Sequence, residues 1–198
     1  IRAPRTSVLV PQKWTEEVQE RLAFDGSGLV PLDEESVRRG IRRLREKGVE
    51  SLAACYLFSF LNPAHEIRTR EIIQEEFPGC RVSLSSEVVP VIREYHRLST
   101  TALDAYVGPI IETYLRRFET GCRDAGITTH RLYIMQSNGG VMNIAVAARN
   151  AVQTVLSGPT AGVVFGGRLS ELLERRRPRQ VRSGEAGLDA LPDASKQE

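Results

Sequence analysis

Tyr133-Ile134-Met135-Gln136-Ser137-Asn138-Gly139-Gly140 opens the most informative segment of this chain, and Leu156-Ser157-Gly158-Pro159-Thr160-Ala161-Gly162-Val163-Val164-Phe165-Gly166-Gly167 closes it. The first part is a short apolar strand that ends in a glycine turn, and the second is a turn that leads into a helix. Ser157 is typical of a helix N-cap, and Pro159 suits a first helical turn, where its missing N–H is not needed. Gly162 and Gly166 leave one helix face nearly bare, although glycine costs a helix about 1 kcal/mol relative to alanine. The pattern predicts that another backbone or a ligand approaches this helix closely.

The turn at Asn138-Gly139-Gly140 follows directly after a strand, which is where open α/β folds place ligands. Its backbone N–H groups can face a phosphate or an amide oxygen. A plain Asn-Gly turn is the alternative interpretation. The candidate substrate- or nucleotide-binding residues of the two parts are Ser137, Asn138, Gly139, Gly140, Ser157, Gly158, Pro159, Thr160 and Gly162.

Helices and strands alternate upstream of this segment. A β-hairpin is predicted for Glu17–Phe24 against Leu29–Leu32. Asp33 is typical of an N-cap, and the helix that it opens over Glu34–Lys47 should terminate at Gly48.

Two apolar runs continue the alternation, with a helix over Ala64–Phe77 between them. Helix, strand, helix, strand is the order produced by right-handed crossovers on a parallel sheet. The chain is therefore predicted to be an α/β fold with a largely parallel sheet. We expect three strands to share that sheet, near Leu52–Phe58, Val82–Ser85 and Leu132–Met135.

A long helix is predicted to begin near Ser99 and to end at Gly126, with Gly108-Pro109 kinking or interrupting it. Arg97, Ser99 and Thr100 would then supply donors just before and at a helix N-terminus, an arrangement that suits an anion or a ring carbonyl. A helix cap combined with a salt bridge is the alternative. No catalytic residue can be assigned from the sequence.

His65 and Glu66 stand together in the first turn of the second helix. Such a pair can bind a metal or share a proton, but adjacent helical residues point about 100° apart and do not readily share one ligand. No further His follows at the spacing of a zinc motif. The sequence therefore predicts no metal site and a structural or capping role for His65 and Glu66. His65 is kept as a minor metal candidate.

Composition narrows the classes of function. The chain has 198 residues and a net charge of +2, which argues against nucleic-acid binding over the whole surface. No apolar run approaches the 18–20 or so residues of a membrane span. Cys55, Cys80 and Cys122 are widely spaced and odd in number, which predicts unpaired thiols in a reducing, cytoplasmic compartment.

Several motifs, in family order from about Val10 to Gly167, resemble the hydantoinase A / 5-oxoprolinase family. They include the two parts quoted above and three further segments: Asn62-Pro63-Ala64-His65-Glu66, Ser83-Leu84-Ser85-Ser86-Glu87-Val88, and Arg93-Glu94-Tyr95-His96-Arg97-Leu98-Ser99-Thr100-Thr101 with Ala105-Tyr106-Val107. The resemblance implies an actin-like ATPase fold of the ribonuclease H-like type. It also implies an enzyme that couples ATP cleavage, with Mg²⁺, to the opening of a cyclic amide activated by phosphorylation. A second hydantoinase-type subunit or domain is the implied partner.

The sequence departs from the family pattern in several places. Asp104 stands where the family usually has Asn, Thr160 where it has Ala, and Phe165 where it prefers Gly. Neither of the family's two glycine-rich phosphate loops occurs in the 198 residues. The chain is therefore expected to correspond to an internal piece of the enzyme. A truncated gene, a frame-shifted gene and a true short protein are the possible origins. The alternatives are a subunit of an acetone-type carboxylase and a non-catalytic remnant that acts as a binding or assembly module.

Four regions are expected along the chain. Residues 1–32 form an N-terminal β-hairpin segment, and residues 33–98 form the α/β segment of the family's N-terminal domain. Residues 99–167 begin the hydantoinase A core domain. Residues 168–198 form a fraying helix to about Arg177 and a disordered tail, whose basic run at 175–182 could bind RNA or anionic lipid or be simply solvated.

Overall fold

Strands and helices alternate through residues 9–129 and 131–176, which are the residues that the computed structural model describes. The strands are β1 (Arg21–Leu22), β2 (Gly28–Val30), β3 (Ser51–Ala54), β4 (Arg81–Leu84), β5 (Tyr133–Met135) and β6 (Val141–Asn143). The helices are α1 (Glu34–Glu46), α2 (Ala64–Glu76), α3 (Ser85–Val88), α4 (Glu94–Asp124), α5 (Ile144–Arg149) and α6 (Ser157–Arg176). Two short 3-10 turns lie at Gln12–Trp14 and Ala151–Thr154.

The chain divides into two compact units, the first ending at Ala161 and the second beginning at Gly162. The disordered tail that is expected to follow about Arg177 lies outside the described residues. Across the described part of the chain, no helix has both the length and the apolar character that a membrane crossing requires.

The predicted β-hairpin is confirmed as the antiparallel pair β1–β2, in which Arg21 lies opposite Val30. The predicted cap of α1 is also confirmed, because the Asp33 carboxylate accepts hydrogen bonds from the N–H groups of Glu35 and Ser36. Gly48 ends the helix in a left-handed conformation, with φ of 75°.

A two-stranded parallel sheet lies at the centre of the first unit. Strands β3 and β4 pair in register from Ser51 opposite Arg81 to Ala54 opposite Leu84, and α2 makes the crossover between them. The expectation of one sheet with three strands is wrong, because β5 pairs antiparallel with β6 in a separate sheet. The turn at Gly139 reverses the chain after β5, so that the strand finds a local partner instead of joining β3 and β4.

One side of the parallel sheet is aliphatic. Leu52 packs against Val37 and Ile41 of α1 and against Ile72 and Ile73 of α2, all of them at most 9% exposed. Burial of one such side chain contributes about 1.5–3 kcal/mol. This cluster combines the hydrophobic stripe of the amphipathic helix α1 with two apolar residues of α2, packed over one strand.

The other side of the parallel sheet is polar and faces α4. Successive residues of a strand point to opposite faces, so Ser51, Arg81 and Ser83 turn away from the aliphatic cluster. The Ser51 hydroxyl donates to the Ala105 carbonyl at 2.7 Å, and the Ser83 hydroxyl donates to the Asp104 carboxylate at 2.7 Å. Hydrogen bonds therefore join this side of the sheet to its helix.

Helix α4 begins five residues earlier than predicted, at Glu94, and runs without interruption to Asp124. The expected break at Gly108-Pro109 is wrong, since the helix continues through Pro109. A proline inside a helix removes one backbone hydrogen bond, and the packing of α4 against β3, β4 and the 151–154 turn outweighs that loss. The predicted end of the helix is confirmed at Gly126, with φ of 79°.

Candidate functional site

The loop Gln136–Gly140 is a tight turn that closes on itself. The N–H of Gln136 donates to the carbonyl of Gly140 at 2.8 Å, and the N–H of Gly139 donates back to the carbonyl of Gln136 at 3.1 Å. The Asn138 side-chain oxygen accepts from the N–H of Gly140 at 2.9 Å. Gly139 has φ of 89°, which only glycine adopts without strain. The turn therefore needs Asn138 for its side-chain hydrogen bond and Gly139 for its positive φ, as expected of an Asn-Gly turn.

The loop is joined to the start of α6. The two parts of the segment quoted at the start of the sequence analysis, residues 133–140 and 156–167, are therefore in contact. The Thr160 hydroxyl donates to the Ser137 carbonyl at 3.0 Å and also reaches the Leu156 carbonyl at 3.1 Å. An alanine at position 160, which the family pattern led us to expect, lacks this donor. The departure at Thr160 therefore supplies a direct link between the loop and the helix.

A second link runs through the 3-10 turn that precedes α6. The N–H of Ser137 donates to the Gln153 carbonyl at 2.8 Å, and the Gln136 side-chain amide donates to the Gln153 side-chain oxygen at 3.0 Å. The position of the loop is consequently set by the 151–154 turn as well as by α6.

The entrance to α6 differs in detail from the prediction. The helix begins at Ser157, and Leu156 accepts the first helical hydrogen bond, from the N–H of Thr160 at 3.3 Å. The predicted N-cap role of Ser157 is therefore wrong by one position. Leu156 has φ of 61° and a side chain that is 73% exposed. A left-handed leucine is strained by about 1–3 kcal/mol, and such strain concentrates at functional sites.

Neutral hydrogen-bonding groups make up the accessible surface of the loop and the first turn of α6. Ser137, Asn138, Gly158 and Pro159 are exposed, and Gly139 and Ser157 are partly buried. Residues 136–140 and 157–160 include no acidic or basic side chain. Hydroxyl, carboxamide and helix N-terminal N–H groups suit a phosphate or carbonyl oxygen, and this set of groups can bind a ligand without transferring a proton.

Gly162 is not approached closely within the described part of the chain. A methyl group added there would have no heavy atom within 4 Å, and the same holds at Gly166. The close approach that the glycine pattern predicts would therefore have to come from a ligand or from another segment.

Arg97, Ser99 and Thr100 lie inside α4, so the prediction that they stand at a helix N-terminus is wrong. Arg97 is fully buried and donates to the carbonyls of Val91 and Tyr56. Its guanidinium also lies 5.3 Å from the centre of the Phe60 ring. These contacts give Arg97 a structural role, joining the start of α4 to the segment that follows β3.

Ser99 and Thr100 lie in the second turn of α4 and are half-buried. The Thr100 hydroxyl donates to the carbonyl of His96 at 2.9 Å, one turn earlier in the same helix. In the described residues, no hydrogen bond connects either side chain to the 136–140 loop. The predicted site residues thus fall into two separate groups.

Glu66 and His65 are both held by protein groups. The Glu66 carboxylate is fully buried and accepts from the Ser85 hydroxyl at 2.6 Å and from the N–H groups of Ser86 and Tyr56 at 2.9 and 3.1 Å. His65 Nδ1 lies 2.8 Å from the Glu20 carboxylate. The described residues bring no three His, Cys, Asp or Glu side chains into a metal-binding cluster.

Tyr56 lies beside this buried carboxylate. Burial raises the pKa of Tyr56 to about 12, although the hydrogen bond to Thr69 opposes the rise. A phenol with that pKa stays protonated at neutral pH, so Tyr56 serves as a hydrogen-bonding group of the fold.

Sequence reasoning missed the pairing of Arg81 with Asp104. Asp104 is fully buried, and its carboxylate accepts from Arg81 at 3.3 Å and from the N–H of Val152 at 2.8 Å. The one available signal was the acidic residue at position 104 in place of the asparagine that the family pattern led us to expect.

Comparison with known proteins finds matches to two family models. The model for the hydantoinase/oxoprolinase N-terminal region matches residues 2–77, and the hydantoinase/oxoprolinase model matches residues 97–177. Together the two models account for most of the chain.

Individual relatives agree with the family models. Caprolactamase subunit alpha from Pseudomonas jessenii is 34% identical over 82% of this chain and 23% of its own length. The 5-oxoprolinase of Saccharomyces cerevisiae is 36% identical over 67% of this chain and 10% of its own length. The chain therefore spans a quarter or less of the length of these relatives.

Two solved structures share the fold. The ATP-dependent caprolactamase from Pseudomonas jessenii superimposes with a TM-score of 0.78 at 31% identity, covering 86% of this chain and 25% of that chain. Nucleotide-free acetone carboxylase gives 0.77 at 28% identity, covering 85% of this chain and 24% of that one. The α/β fold with a short parallel sheet is confirmed as part of an actin-like domain.

Proposed function

Since this chain belongs to the hydantoinase/oxoprolinase family, we propose that it is part of an ATP-dependent cyclic-amide hydrolase, one that opens a hydantoin or 5-oxoproline-type ring. The observation that carries the proposal is the junction between the 136–140 loop and α6. The Thr160 hydroxyl donates to the Ser137 carbonyl there, and Ser137, Asn138, Gly158 and Pro159, on either side of this contact, are exposed.

In this proposal the junction binds either the substrate carbonyl or a phosphate group of the nucleotide. The side chains of Ser137 and Asn138 and the free N–H groups at the start of α6 would donate hydrogen bonds to the ligand oxygen. ATP and Mg²⁺ would be held mainly by phosphate loops, which these 198 residues do not include. Phosphoryl transfer depends almost entirely on such positioning.

A subunit of an acetone-type carboxylase is the second candidate. It is favoured by the structural likeness to acetone carboxylase, which is nearly as great as the likeness to the caprolactamase. A non-catalytic module that binds a partner is the third candidate. Under the first two candidates a second subunit or domain completes the enzyme, and we propose a cytoplasmic location.

Ligand binding at the junction tests the proposal directly. Backbone NMR spectra of the 198-residue chain would be recorded with Mg·ATP, hydantoin, 5-oxoproline and acetone in turn. A cyclic amide or Mg·ATP is expected to shift the amide signals of residues 137–140, Gly158 and Thr160, while those of α1 and α2 stay unchanged. Shifts with acetone and none with the cyclic amides would favour the carboxylase, and no shift with any compound would favour the non-catalytic module.

Matched variants assign the shifts to the proposed groups. Asn138→Ala should weaken binding about tenfold, since one good hydrogen bond to a ligand is worth about 1.4 kcal/mol. Ser99→Ala removes a hydroxyl in α4 and should leave binding unchanged. The opposite pattern would move the site from the loop to α4.

We also predict that the chain by itself shows no measurable ATP hydrolysis or ring opening. The assay is ATP-dependent product formation from hydantoin and 5-oxoproline by the purified chain. Activity that a site variant such as Asn138→Ala abolishes would show that phosphate binding does not require the missing loops.

A further inference from the structure

The buried carboxylate of Asp104 is held by groups from two different segments of the chain. Its Oδ2 atom accepts from the hydroxyl of Ser83 at 2.7 Å and from the guanidinium of Arg81 at 3.3 Å, both in β4. Its Oδ1 atom accepts from the N–H of Val152 at 2.8 Å, in the 3-10 turn before α6. Asp104 thus fastens the 151–154 turn to the parallel sheet.

Arg81 strengthens the same connection. Its side chain donates to the carbonyls of Ala148 and Arg149, at 2.7 and 3.0 Å, where α5 ends. It passes directly over Gly108 of α4, where an added methyl group would lie 1.9 Å from Arg81 Nε. The glycine leaves the space through which the guanidinium reaches the end of α5.

The 151–154 turn, which Asp104 fastens to the sheet, also holds the 136–140 loop of the candidate site. Val152 precedes Gln153, whose backbone carbonyl accepts from the N–H of Ser137 and whose side chain accepts from Gln136. A continuous series of contacts therefore runs from Asp104 through Val152 and Gln153 to the loop. Each of these hydrogen bonds is between 2.8 and 3.0 Å long.

We infer that Asp104 is a positioning residue for the 136–140 loop, acting through the 151–154 turn. It lies in α4 and does not itself belong to the loop or to the start of α6. The inference deepens the proposed function, because a loop that binds a ligand oxygen must be held in one place. The fastening of the loop is a property of the unliganded protein, so its test does not require that the ligand be known.

Amide hydrogen exchange in the full 198-residue chain provides the test. Asp104→Ala removes the acceptor for the N–H of Val152, and exchange at Val152 and Ser137 should become about tenfold faster, as for the loss of one hydrogen bond. Exchange at Ile72 and Ile73, in the aliphatic cluster, should rise much less. Equal acceleration at all four amides would mean that Asp104 only stabilises the whole fold, and unchanged exchange at Ser137 would overturn the inference.

Asp104→Asn is the matched conservative variant. The asparagine oxygen can still accept from Val152, and its NH₂ group can donate to the Ser83 hydroxyl. Protection of Ser137 should therefore return to within about threefold of the original value, since the loop contact is kept while the charge is lost. Loss of Ser137 protection as great as in Asp104→Ala would show that charge, not the Val152 contact, is what matters.

A second variant covers the case in which Asp104→Ala does not fold. Arg81→Met/Asp104→Leu replaces the ion pair by apolar side chains of similar volume, an exchange that other proteins often tolerate. Ser137 should again lose protection while Ile72 and Ile73 keep theirs. Full protection of Ser137 in this folded variant would overturn the inference, whether or not Mg·ATP or a cyclic amide binds the chain.

Discussion

Aliphatic side chains from α1 and α2 cover one side of the β3–β4 sheet, whereas an ion pair and directed hydrogen bonds join the other side to α4. Contacts on the aliphatic side are non-directional, and several side chains share the stabilisation. On the polar side each contact depends on one donor and one acceptor, and an unpaired partner left in the interior costs about 1–3 kcal/mol. The difference suggests a division of roles, in which the aliphatic side stabilises the unit and the polar side sets the position of the candidate site.

Ile72→Ala should have the largest effect, because Ile72 is fully buried in the aliphatic cluster. Removal of a buried isoleucine side chain destabilises a protein by about 2–5 kcal/mol. The free energy of unfolding would be measured by urea denaturation. Ile67→Ala, at a 37% exposed position of the same helix, is the control and should cost much less. Similar losses for both variants would contradict the assignment of the core.

Gly108→Ala tests the polar side. In an open helix this change stabilises by about 1 kcal/mol, but here the methyl group would collide with Arg81, and overpacking typically costs about 1–3 kcal/mol. Gly121→Ala is the matched control, since α4 contains Gly121 as well and a methyl group there would have no heavy atom within 4 Å in the described structure.

The two glycine variants should therefore have opposite signs in urea denaturation. The double variant Arg81→Ala/Gly108→Ala should be more stable than the sum of its single changes predicts, because the methyl group then has room. Strict additivity would mean that Arg81 does not occupy the space over Gly108.

The stability of the fold should depend on pH through Tyr56, whose hydroxyl is hydrogen-bonded to Thr69 of α2. Its pKa is about 12 in the folded chain and about 10 when unfolded, so the folded state holds the proton more tightly. The resulting stability is complete below about pH 10 and is lost as pH rises through 12. Between pH 9 and pH 11 the original chain should lose about 1 kcal/mol more than Tyr56→Phe, measured by urea denaturation at each pH. A constant difference between the two proteins would refute the shift.

Gly162→Ala should have the smallest effect on stability. It serves as the reference for the substitutions on the two sides of the sheet, because no tertiary contact among the described residues is changed. With no described heavy atom near the added methyl group, only helix propensity changes, by at most about 1 kcal/mol in favour of α6. Cα chemical shifts of residues 163–168 would report the gain in helicity. A loss of helicity would restore the original expectation that another segment approaches this glycine closely.

The aliphatic side could be predicted from the sequence because its signals are local. Asp33 and Gly48 define the two ends of α1 without reference to any other part of the chain. The α/β class followed from the order of helices and strands.

The polar side could not be predicted because its partners are distant in sequence. Arg81 donates hydrogen bonds to the backbone carbonyls of Ala148 and Arg149. No pattern of side chains in the sequence predicts a hydrogen bond to a backbone oxygen. The early start of α4 was missed because Arg93, with φ of 84°, precedes the helix without any side-chain cap. For the candidate site, the glycine turn was readable, but the hydrogen bond of Thr160 to Ser137 depends on tertiary structure.

The separation in sequence between Asp104 and Val152 has a consequence for the order of folding. Contacts within the segment α1–β3–α2–β4 close shorter stretches of chain, such as the 38 residues between Arg38 and Glu76, whereas the contacts of Arg81 with Ala148 and of Asp104 with Val152 span 67 and 48 residues. Contacts that close long loops usually form late, so the parallel unit should assemble first and the polar contacts should close after the rate-limiting barrier. Substitutions at Asp104 would then accelerate unfolding and leave the folding rate nearly unchanged. The loop 136–140 would be the last part of the unit to gain its native position and the first to lose it.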